Sequence, residues 1–174
     1  MATWNLDKSH SEIEFKVRHM MISTVKGQFN NFDINVESAS EDLSEAKISV
    51  SIDVDSINTN NEQRDEHLKN ADFFNVAENN KITFISTSIV KKSDEDFEVT
   101  GDLTIKGVTN SKTFKVELGG VAIDPWGNAK VGYTVTGAIN RADFGLTWNA
   151  ALETGGVMLS DEVKFTADIQ LVKG

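Results

Sequence analysis

Three histidines, His10, His19 and His67, are the residues of this 174-residue chain best suited to acid–base or metal chemistry. No two of them stand at the H-x-x-x-H spacing that brings two imidazoles to one metal ion. The chain has no cysteine, which excludes disulfides, thiolate metal sites and cysteine nucleophiles. It has no G-x-S-x-G elbow, no phosphate-cradling glycine loop and no H-E-x-x-H helix. The adjacent carboxylates Asp94, Glu95 and Asp96 fall in a turn-forming stretch where water solvates them. The expectation is therefore no catalytic set, no metal and no cofactor. Arg64-Asp65-x-His67 is the densest polar group. It reads either as a network tying a short helix to its neighbours or as a site for a polar head group.

The elements that would position these residues are mostly strands. Ile13, Phe15, Val17 and His19 alternate with Glu14, Lys16 and Arg18, and Ile48, Val50, Ile52 and Val54 alternate with Ser49, Ser51 and Asp53. The same period of two runs through Phe97–Ile105, Phe114–Leu118, Val131–Ile139 and Val163–Leu171. One wet and one dry face is the mark of antiparallel sheet. Turn residues at 92–96, 107–111 and 124–127 separate the strands. Phe29 and Phe32 break the alternation at Asn30-Asn31, as a bulge bending a long strand would. Thr59 with Glu62 fits a capping box for a short helix near 62–70, with Asn70 as its stop. Such a helix is too short to be a second layer and is expected to lid or plug one end. His19 ends a dry row, where it either meets a ligand head group or is satisfied by backbone at a strand end.

Strands with a single dry face must stack or close on themselves. The expectation is an all-β fold: an extended antiparallel β-barrel of about eight strands, lipocalin-like, as one domain over 1–174. The dry rows carry glycines at 27, 101 and either 132 or 137. Small inward residues leave space, yet a packed core fits the same periodicity, and both readings stand at this point.

Composition narrows the partners. Against 27 acidic residues stand 17 basic ones, for a net charge of -10, which disfavours nucleic acid and anionic membrane surfaces. No apolar run is long enough to span a bilayer, and the start Met1-Ala2-Thr3-Trp4 has neither a basic nor an apolar leader region. The expected compartment is the cytoplasm, without stable membrane insertion; a homodimer is left open.

A set of short motifs runs in order along the chain: Trp4-x-Leu6-Asp7, His10-Ser11, Phe15-x-Val17-x-His19, Gly27-x-Phe29, Arg64-Asp65-x-His67-Leu68, Asp72-Phe73-Phe74, Ile82-Thr83-Phe84, Gly101-x-Leu103-Thr104-Ile105-x-Gly107-Val108-Thr109 and Asn140-Arg141-x-Asp143-Phe144-Gly145-Leu146. In this order and spacing the sequence resembles the YceI-like family of polyisoprenoid-binding proteins. The resemblance implies a barrel whose interior holds an isoprenoid chain, such as a polyprenyl or quinone tail, which it carries or sequesters. The expected ligand-binding residues are Phe15, Val17, His19, Phe29, Ile48, Val50, Ile52, Phe84, Val99, Leu103, Val116, Val131, Tyr133, Val135 and Phe165. The family usually has an aromatic-proline pair before the Ile-Thr-Phe strand, and here Asn79-Asn80 stand there. The alternatives are an enzyme acting on such a lipid, with His19 or His67 as acid or base, and an interaction barrel with a filled core.

Overall fold

The structure, a computed structural model, describes residues 2–19, 23–38, 43–70, 73–146 and 159–173. Among these, eleven strands form one antiparallel sheet: β1 (Ala2–Leu6), β2 (Glu12–His19), β3 (Ser23–Phe29), β4 (Phe32–Ser38), β5 (Lys47–Asp53), β6 (Ile57–Asn58), β7 (Lys81–Lys91), β8 (Asp96–Ile105), β9 (Val108–Ile123), β10 (Ala129–Asn140) and β11 (Leu159–Lys173). The one α-helix is α1 (Glu62–Lys69), with Asn70 as its C-cap. Sheet order is β1-β4-β5-β7-β8-β9-β10-β11, and β1 pairs back onto β11, so eight strands close a barrel. Closure hides the edges that an open sheet would expose.

Three of the staves are broken. β1 and β2 are two halves of one stave, as are β3 and β4, and β5 and β6. The lower halves pair within the closed ring, and the upper halves continue the sheet as β11-β2-β3-β6. The bulge expected at Asn30-Asn31 is instead a two-residue break between β3 and β4, which lets Phe29 and Phe32 both be buried. It is pinned to the neighbouring break, where Asn31 N–H donates to Ser56 Oγ at 2.9 Å and Asp53 N–H to the Asn31 carbonyl at 2.9 Å. A 3-10 turn, Val54–Ser56, makes that second break, and its Val54 is 1% exposed. Another 3-10 turn, Lys8–His10, separates β1 from β2.

No strand among the described residues joins β6 to β7. The chain between them forms α1 and the turns that follow, with Val54 N–H donating to the Asn80 carbonyl at 3.1 Å across the seam. The helix buries no residue of its own and packs as a cover over one end of the barrel. Asn61, not Thr59, is its N-cap, accepting from Arg64 N–H at 3.0 Å. The expected loop at 107–111 is a two-residue turn instead, Lys106-Gly107, both at positive φ (52° and 76°). Two residues of that handedness match the twist of the flanking strands, so β9 begins at Val108.

At the other end, β9 and β10 run past the barrel as a hairpin. The turn Asp124-Pro125-Trp126-Gly127 caps it, and Val121, Ile123 and Trp126 are exposed there.

Candidate functional site: an apolar bore

The inward rows of the barrel do not meet at its axis. They enclose a cavity of about 620 Å³. All of the expected ligand-binding residues whose side chains are described line it except Val131. Val131 does face inward and is buried, but it lies below the cavity, in the layer with buried Trp4 and Phe97 that fills the lower end of the barrel. The His19 side chain lies outside the described residues; its backbone pairs with Ser23 and Leu159. Asp72 and Trp148 also lie outside the described residues.

Three inward glycines were expected to leave room, and the structure corrects how they do so. Phe15 pairs with Gly27, and Phe165 with Gly137. Phe84 sits one step diagonally from Gly101. A Cβ on Gly137 would meet Phe114 Cδ1 at 2.6 Å and Phe165 Cε1 at 2.8 Å; one on Gly101 would strike the Ile85 carbonyl oxygen as well as meet Phe84 Cζ at 2.6 Å; and one on Gly27 would strike the Phe15 ring. Each glycine therefore holds no void. It lets a neighbouring ring lie flat against the wall, and the flattened rings keep the axis open. The rings also pack on one another: Phe114 meets Phe165 edge-on at 4.9 Å and Phe84 at 5.5 Å, and Phe15 meets Phe29 at 5.4 Å.

The polar part of the lining gathers at the end covered by α1. It comprises Thr59, Asn61, Gln63, Arg64 and His67, with Arg141 from the 3-10 turn Arg141–Phe144. Sequence reasoning had placed Arg64 and His67 on a short helix but had no signal that Thr59 and Arg141 face the same space. Arg64 Nε donates to Thr59 Oγ1 at 2.9 Å and its NH2 group to the Thr59 carbonyl at 2.8 Å. Asp65 accepts from Thr59 N–H at 2.9 Å and from the Thr59 hydroxyl. Thr59 is buried. This is the anchoring network that Arg64-Asp65-x-His67 allowed, and it also presents the Arg64 and His67 side chains to the cavity. His67 stands edge-on to Phe73 at 5.1 Å.

Arg141 is 4% exposed. Its Nε donates to the Ser160 carbonyl at 3.0 Å and its NH1 group to the Leu146 carbonyl at 2.7 Å, so it fixes the loop after β10. Desolvation lowers its pKa, and the Asp161 carboxylate opposes that shift. His10 lies elsewhere, on the outer surface, bonded through Nδ1 to Asp7 at 2.9 Å and to Ser9 at 3.1 Å. It shares no site with His67. Among the described residues, no three histidine, aspartate or glutamate side chains come together as metal donors. No helix among them is long and apolar enough to cross a membrane.

A greasy bore, filled at one end and polar at the other, is suited to one amphiphile with its tail inside. The comparisons agree with this architecture. A UPF0312 protein of Staphylococcus aureus (strain MSSA476) is 47% identical over 171 residues, covering 98% of this chain and 97% of that protein. The crystal structure of the Campylobacter jejuni YCEI protein superposes with a TM-score of 0.76 at 34% identity, covering 95% of this chain and 94% of that one. A polyisoprenoid binding domain from Saccharophagus degradans, implicated in plant cell wall breakdown, shares the fold with a TM-score of 0.75 at 16% identity, covering 98% of each chain. The YceI-like domain matches residues 4–171, and the chain belongs to that family.

Proposed function

We propose that this protein binds a long isoprenoid lipid inside its barrel, tail toward Trp4 and head toward α1, and carries or sequesters it. The observation that carries the reading is the 620 Å³ bore, apolar along its length and polar only at one end. The Saccharophagus degradans neighbour, a polyisoprenoid binding domain, supports the chemical class. A chain in the bore meets apolar side chains on every side, and each buried methylene contributes about 0.8 kcal/mol before the costs of binding are subtracted. Arg64 and Arg141 bring positive charge to the head-group end of a chain whose net charge is -10. A head group rich in oxygen, such as a phosphate or quinone, suits that end.

The test is organic extraction of protein purified without detergent, followed by mass spectrometry and a titration with added prenol. A prenyl-chain lipid in the extract, or saturable one-to-one uptake of prenol by emptied protein, is the expected result. An empty extract combined with no uptake overturns the proposal. Turnover of the added lipid would replace carriage with catalysis.

A further inference from the structure

Resting on the reading of the bore as an isoprenoid site, we propose that it is gauged in length for about four isoprene units, and that any longer chain leaves its remainder outside at the α1 end. Two measures bear on this. A methylene fills about the liquid volume of a water molecule, roughly 30 Å³. The 620 Å³ cavity therefore takes at least about twenty carbons.

The second measure is length. Along β11 the lining runs from Val163 through Phe165, Ala167 and Ile169 to Leu171. At about 3.4 Å per residue and a tilt of about 40°, that row spans roughly 20 Å of the barrel axis. An isoprene unit advances about 5 Å, being four zigzag bonds of about 1.5 Å, so four units fill the row.

The lower end enforces the limit. Trp4, Phe97 and Val131 are all buried and all lie outside the lining, so the tail cannot advance past them. Ala167, midway along the row, is the smallest residue in it and faces Val135 and Ile13 across its two neighbouring strands.

Binding of all-trans prenols of two, three, four, six and nine isoprene units, read by displacement of a solvatochromic dye and by native mass spectrometry, tests the gauge. Affinity is expected to rise at least tenfold per unit up to four and by less than threefold per unit beyond. Ala167→Phe blocks the bore halfway, and the break should move from four units toward two. A steep rise that continues to nine units overturns the gauge while leaving isoprenoid binding intact. Failure of every prenol to bind overturns both. The wild-type series decides the matter even if Ala167→Phe does not fold.

Discussion

Gly137→Ala tests whether the glycine–phenylalanine pairs set the bore. The added Cβ would stand 2.6 Å from Phe114 Cδ1 and 2.8 and 2.9 Å from Phe165 Cε1 and Cζ. Carbon contacts settle at about 3.5–4.0 Å, so both rings must retreat by about 1 Å. The sheet blocks retreat outward, and the free direction is the cavity. Overpacking of this kind costs about 1–3 kcal/mol. Replacing glycine returns about 0.4–1 kcal/mol by restricting the unfolded chain. The net loss of about 0.5–2 kcal/mol lowers the melting temperature by roughly 2–6 °C in a domain of this size. Two displaced rings take the room of one or two methylene groups, worth about 0.8 kcal/mol each, so prenol affinity should fall roughly 4- to 15-fold. Gly120→Ala is the control, because its Cβ would meet nothing within 4 Å. It should leave affinity unchanged and stability equal or slightly higher. Thermal melts by circular dichroism and dye-displacement titrations read both quantities. Equal affinity in wild type and Gly137→Ala, or an equal loss in Gly120→Ala, would refute the idea that these glycines gauge the bore.

Other perturbations follow from the same geometry. Val17→Trp places a large side chain in the lining and should weaken lipid uptake severely with the β-sheet spectrum preserved; retention of lipid by the folded variant would count against Val17 as a wall residue. Asn61→Ala removes the α1 N-cap, costs about 0.5–2 kcal/mol locally, and should speed lipid transfer to acceptor vesicles with little change in melting temperature. An unchanged transfer rate, with amide exchange showing α1 frayed, would mean that the helix does not gate entry. Asp7 is held at a pKa of about 2, below its ordinary 3.8, first by its hydrogen bond to His10 and then by that to Ser9. A depressed carboxylate contributes stability above the unfolded value that is lost as pH falls through the folded one. The melting temperature should therefore drop between about pH 4 and pH 2, and Asp7→Asn should flatten that part of the curve. Chelation with EDTA should leave melting temperature and lipid uptake unchanged, and a stoichiometric metal lost together with binding would contradict this.

Period-two alternation made the strands legible, because each dry row had to face one interior. The interruption at Asn30-Asn31 was legible for the same reason: Phe29 and Phe32 cannot both face inward on an unbroken strand. The breaks at Lys8–His10 and Val54–Ser56 were not, since Val54 stays buried while leaving the strand and so keeps the alternation intact. The role of the glycines was misread because it depends on register. Gly27 lies twelve positions from Phe15, and only the β2–β3 pairing puts one over the other. The helix was found but its cap was assigned to Thr59, whose hydroxyl turns to Asp65 instead and leaves capping to Asn61. Arg141 gave no signal of facing the bore, because what holds it there is a pair of hydrogen bonds to the Leu146 and Ser160 carbonyls, which only the folded chain brings to it.

The most direct test of the account is to find where a prenol lies. A prenol carrying a photoreactive diazirine at its tail end, irradiated in the complex and mapped by peptide mass spectrometry, should label the deep lining at Val36, Val116 and Leu171. Labelling confined to the exposed hairpin residues Val121, Ile123 and Trp126 would place the lipid on the outside of the barrel and contradict the account.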